Sequence, residues 1–158
     1  MKFWLPVVLL MTLIFSASSD SRSYEHSKRL FGLFEPFLHW LFPQMHPEQI
    51  TNIHHLFRKS AHIVEYAVLA LLLWRAIRHT CGKTPRPPVA PKRSAGGWNW
   101  AEARLALLIV MLFAATDEFH QLFVPDRTSL VSDVFVDTCG GAVALFALWI
   151  YGRCRKRW

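Results

Sequence analysis

Four apolar stretches constrain this chain more than any other feature, because each approaches the roughly 20 residues that a helix needs to cross a bilayer. They run over about 3–19, 61–78, 101–120 and 133–152. Backbone N–H and C=O groups in lipid must be bonded within their own segment, so such stretches fold as helices. Composition agrees. Of the 158 residues 53% are hydrophobic and 18% charged, where a soluble domain averages about 25% charged. The expected fold is a single all-α membrane domain over 1–158, a four-transmembrane-helix bundle.

A formal net charge of +7 also fits a nucleic-acid binder, so the placement of the cations decides. Twelve of the 18 Lys and Arg precede the first stretch, lie between Arg75 and Arg104, or follow the fourth. The other six lie between stretches one and two or three and four, diluted by Asp20, Glu25, Glu35, Glu48 and Asp126. Cytoplasmic loops carry the excess of Lys and Arg. Both termini and the 79–100 linker are therefore expected inside, and no nucleic-acid partner is expected.

The first stretch also fits a secretory signal peptide, with Lys2, an apolar core and the small residues Ser16-Ala17-Ser18. The linker holds four prolines between Thr84 and Lys92 and reads as a basic, non-helical connection near anionic headgroups. Residues 24–58 are dense in aromatic and aliphatic side chains but broken by Gly32 and Pro36. They read as helical segments lying at the outer interface, either anchoring the chain or walling a site. Cys81, Cys139 and Cys154 are given no chemistry, since two fall on the reducing side and none has ligand spacing.

Polar residues gather in three places. Lys59, His62, Glu65 and Tyr66 recur at helical spacing where stretch two begins. Asp117, Glu118 and Gln121 close stretch three, Arg127 follows a short turn, and Asp133 and Asp137 open stretch four. Alternating spans bring all three places to the outer leaflet boundary. Intramembrane ionisable groups mark functional sites by default. Ion pairs that hold helices together, His62–Glu65 and Arg127–Asp133, are the plainer reading of single residues. Packing four helices does not require so many ionisable groups on one side. No metal site is expected: His62-Ile63-Val64-Glu65 overlaps a metalloprotease motif, but Tyr66 stands where its second His belongs.

Arg58 to Leu69, Asp117 to Thr128 and Asp133 to Gly141 together resemble the VanZ-like family, in order and over nearly the whole chain outside the linker. The end of stretch one is similar to that family's retained first span, which counts against cleavage. The resemblance implies a bacterial multi-pass protein of the cytoplasmic membrane, from a family associated with resistance to the glycopeptide teicoplanin. It carries over Lys59, His62, Glu65, Tyr66, Asp117, Glu118, Gln121, Arg127, Asp133 and Gly141. Asp137 departs from the family's usual pattern, where Asn is frequent, and adds one possible charge.

Two functions compete. In an enzyme acting on an outer-leaflet amphiphile, crowded carboxylates cannot all stay ionised, so one holds a proton while another accepts one. Asp117 or Glu118 would be acid or base and His62 the proton carrier, with Glu65, Gln121 and Asp133 in the same catalytic set. Lys59 and Arg127 would clamp an anion, beside Tyr66 and Asp137. In a non-catalytic binder the same charges would hold a lipid headgroup or a lipid-tailed glycopeptide antibiotic. A small proton-coupled transporter is a third reading, for which four spans are few unless the chain forms a homo-oligomer. The expected partners are membrane lipids or a lipid-linked envelope precursor, and no cofactor is expected.

Overall fold

The structure, a computed structural model, describes residues 2–19, 23–81, 97–124 and 130–157. They form six helices and no strand: α1 (Leu5–Ser19), α2 (Ser23–Gly32), α3 (Glu35–Leu41), α4 (Pro47–Cys81), α5 (Trp100–Gln121) and α6 (Val131–Cys154). Residues 82–96, most of the Pro-rich linker, and 125–129, including Arg127, lie outside the described set.

Each apolar stretch is helical, but their lengths differ from the expectation. At about 1.5 Å per residue α1 is roughly 22 Å long, short of a hydrocarbon core of about 30 Å. The second stretch, expected from residue 61, is the later part of a 35-residue helix that begins at Pro47. The first dozen or so of its residues belong to the segment expected to lie at the interface. Among the described residues, only α4 and α6 are both long and apolar enough to cross a membrane by themselves. Helix α5 has the length but carries Glu102, Arg104, Asp117 and Glu118 towards its ends.

Cross-helix bonds fix how the helices run. Trp4 at the start of α1 donates to Thr80 near the end of α4 (2.9 Å). Ser18 at the end of α1 donates to Asp117 near the end of α5 (2.7 Å). Arg78 of α4 faces Glu102 of α5 at 3.9 Å, and Lys59 of α4 reaches Asp133 of α6 at 2.9 Å. Consecutive members of the set α1, α4, α5 and α6 therefore run in opposite directions. One end of the bundle collects Glu65, Asp117, Glu118, Asp133 and Asp137; the other collects Arg75, Arg78 and Arg153, with Glu102 beside Arg78.

Helix α4 is the centre, packed on α1, α5 and α6. Its Tyr66, Leu69 and Leu73 are fully buried. Ala106, Val110 and Ala114 of α5 recur every four residues, a single buried stripe of small side chains that lets the backbones approach. Gly140 of α6 lies tightest: a Cβ there would meet the Ile63 carbonyl oxygen of α4 at 2.8 Å. Gly141 faces Ala70 and Val110, where a Cβ would meet carbons at 3.2 and 3.3 Å.

Asn99 caps α5, accepting from the Ala101 N–H (3.0 Å) and donating to Glu102 (2.8 Å). Beside it Trp98 stacks on Trp74, and Trp100 lies against Trp149. Arg78 and Arg153 sit over Trp74 and Trp149. Near the opposite end α2 docks on α4 through His54, whose Nε2 lies 3.1 Å from Ser27 Oγ and whose ring meets Phe31.

Candidate functional site

The acid-rich end of the bundle has Asp117 at its centre. One turn before the end of α5, its carboxylate points inward between α1 and α4 and is 2% exposed. Three donors converge on one oxygen, Oδ2: Ser18 Oγ of α1 at 2.7 Å, Tyr66 Oη of α4 at 3.3 Å and Gln121 Nε2 of α5 at 3.3 Å. Gln121 donates also to Ser18 Oγ at 2.9 Å. The helical period produces this set, since Asp117 and Gln121 are four apart and share a face. The other oxygen, Oδ1, is buried and has no hydrogen-bond partner among the described residues. A buried acceptor left unpaired costs about 1–3 kcal/mol. Asp117 thus keeps one oxygen fixed by the protein and one buried and unpaired.

Glu118, the next residue, faces another way. Its Oε2 accepts from the Leu130 N–H at 3.1 Å, immediately before α6 begins. A carboxylate at a helix start satisfies an orphan donor and opposes the positive end of the helix dipole. Asp133 sits in the first turn of α6 and accepts from Lys59 Nζ at 2.9 Å, so its partner is Lys59. The expected Arg127–Asp133 pair lies outside the described residues. His62 and Glu65 form a pair within α4, Nδ1 to Oε2 at 3.5 Å.

Asp137 is buried one turn further into α6, 5% exposed, and interacts electrostatically with Glu118, Asp133, Asp117 and Glu65. Five carboxylates from three helices therefore share one region. Such a set needs cations or shared protons, and Lys59 and His62 stand at its edge. Among the described residues no group of three or more His, Cys, Asp and Glu side chains is placed to hold a metal ion.

The expected site residues thus divide into parts. Tyr66, Asp117 and Gln121 form one bonded network. Lys59 with Asp133, and His62 with Glu65, are pairs beside it, Glu118 ties α5 to α6, and Asp137 lies among the acids. Ser18 escaped sequence reasoning. It is fully buried and makes two of the network's bonds. Its only trace in the sequence is the run of small residues Ser16 to Ser19, which also fits a cleavage site. His54 is 3% exposed and joins α2 to α4.

The family model described as VanZ/LLP1 matches residues 3–152. The chain belongs to the VanZ/LLP1 family. The match takes in α1 and runs almost to the end of α6, so the Ser18–Asp117 network lies wholly inside it. Family membership and the two long apolar helices make this VanZ/LLP1 chain a membrane protein. No curated protein and no solved structure matches it.

Proposed function

We propose that this VanZ/LLP1 protein binds an envelope lipid or lipid-linked amphiphile at the outer leaflet of the bacterial cytoplasmic membrane and acts on it there, altering the envelope that teicoplanin-type glycopeptides target. In this reading α4 and α6 cross by their own length and apolarity and α1 and α5, packed on α4, cross beside them, with both termini cytoplasmic and α2 and α3 at the outer interface. The alternating helix directions support it. So do Arg75, Arg78 and Arg153, with Trp74, Trp98, Trp100 and Trp149, gathered at the end opposite the acids, as expected of a cytoplasmic interface.

The single observation that carries the proposal is Asp117, buried, held at Oδ2 by three donors and unpaired at Oδ1. The unpaired oxygen accepts a hydroxyl or ammonium donor of the amphiphile, which reaches it when the surrounding helix ends move apart. Lys59 and Arg127 supply positive charge for its anionic group, and His62 with Glu65 offers a route for a proton. Glu118 shares the acidic region but has a structural task at the start of α6, which moves the central role to Asp117.

The test compares envelope lipid profiles of cells lacking the protein, cells making it, and cells making Asp117→Asn. The Asn side chain keeps an oxygen for Ser18, Tyr66 and Gln121 but turns the unpaired acceptor into a donor. A lipid species that shifts with the unaltered protein and stays put with Asp117→Asn marks chemistry at this site. Shifts that are identical with both proteins exclude it, and no shift with either makes the protein a binder only.

A further inference from the structure

The surface between α4 and α6 carries a groove that the polar cluster does not use. This open groove has a volume of about 520 Å³, and its lining is apolar apart from Cys139; Ile63, Ala67, Val136, Val143 and Ala147 are among the walls. That volume falls within the range of about 300–1,000 Å³ found for small-ligand sites. The two walls are the two helices long and apolar enough to cross a membrane. The close approach of Gly140 to Ile63 draws them together at its floor.

The groove has a direction. From Phe135 to Ala147 it follows α6 for about 18 Å at 1.5 Å per residue, near the depth of one leaflet of a core about 30 Å thick. At its upper end the Lys59–Asp133 pair bridges the same two helices. Ile63 follows Lys59 by four residues and Val136 follows Asp133 by three, so cation and groove share one face of each helix. The ammonium has three donors, one of which serves Asp133, and its side chain is 52% exposed. An apolar channel one leaflet deep, headed by an accessible cation, matches one acyl chain with a phosphate above it.

We infer that the α4–α6 groove holds one acyl chain of a glycerophospholipid whose phosphate sits at Lys59, which presents the headgroup to the neighbouring acids. The inference rests on the reading of that end of the bundle as the outer leaflet boundary, and it names the class of amphiphile the site receives. Cys139 on the groove wall is exposed and has a free thiol, which gives the site its own reporter.

The full chain is reconstituted in vesicles of phosphatidylcholine and phosphatidylglycerol carrying a trace of phosphatidylcholine with a diazirine in mid-chain. After illumination the adducts are mapped by peptide. Adducts are expected several-fold richer on Ile63–Ala67 and Phe135–Ala147 than on the exposed α1 face of Leu5, Val8 and Leu9. Ala144→Phe, which fills the groove, lowers them. Val143→Trp does the same from an exposed position where folding is not at stake. Lys59→Gln disperses the groove adducts, and alkylation of Cys139 is slower in vesicles than in lipid-free detergent. Equal labelling of α1 and the groove, or labelling unchanged by both groove-filling variants, overturns the inference. Asp117→Asn leaves groove labelling intact, so failure of the function proposed above is read in cells and failure of the groove in the vesicles.

Discussion

Ser18 and Asp117 are joined by a 2.7 Å hydrogen bond across 99 residues of sequence. Through it the end of α1 becomes a wall of the acidic site. Because Ser18 also accepts from Gln121, Ser18→Ala removes two bonds at once. Polar contacts between membrane helices average about 0.6 kcal/mol each, so the expected cost is roughly 1 kcal/mol. Thermal unfolding in detergent should show a lowered midpoint for Ser18→Ala and none for Ser16→Ala, whose side chain is exposed.

The two adjacent glycines of α6 should differ. A Cβ on Gly140 falls 2.8 Å from the Ile63 backbone oxygen, which cannot move without shifting α4. A Cβ on Gly141 meets the Ala70 Cβ at 3.2 Å and the Val110 Cγ1 at 3.3 Å, a milder overlap. Overpacking costs about 1–3 kcal/mol. Gly140→Ala should fall at the upper end of that range and Gly141→Ala at the lower, read as unequal drops in unfolding midpoint. Equal drops would mean that the helices do not cross where Gly140 meets Ile63.

Glu118 should prove separable from its neighbour. Glu118→Gln retains an oxygen to accept the Leu130 N–H, whereas Glu118→Ala leaves that donor unbonded at the head of α6. Hydrogen exchange in the first turn of α6 should accelerate for Glu118→Ala and stay near the original rate for Glu118→Gln.

Orientation is checked by the thiols and the N-terminus. Cys154 at the end of α6 is exposed. In the proposed topology a membrane-impermeant maleimide labels it in inside-out vesicles and not in intact spheroplasts. An N-terminal tag should persist on the mature protein, since α1 supplies Ser18 to the site and its removal would strip Asp117 of its shortest hydrogen bond.

Much of the fold was legible because a long apolar run satisfies its own backbone groups most simply as a helix. The four apolar stretches of 61–78, 101–120, 133–152 and 3–19 had to be helices, and they are. The start of α4 was not legible. Pro47 to Ser60 is polar enough to look like interface, and only packing of α2 through His54 and Phe31 shows it as continuous helix. The acidic site was readable as a list, since Asp117 and Gln121 or Lys59 and Tyr66 lie at helical spacing. Partner choice was not. Nothing local distinguishes Asp117, turned between α1 and α4, from Glu118, turned to Leu130, because a single step along a helix rotates a side chain by about 100°. Ser18 was invisible for the same reason: its partner lies on another helix.

The most direct measurement is of the lipid that accompanies the purified protein. Unaltered chain and Asp117→Asn are extracted from the same cells at matched levels with a lipid-preserving polymer, and the bound species are weighed by mass spectrometry against bulk membrane. An envelope amphiphile enriched with the unaltered chain and lost from Asp117→Asn is the expected result. Identical, bulk-like lipid around both proteins would contradict the placing of a ligand at the unpaired oxygen of Asp117.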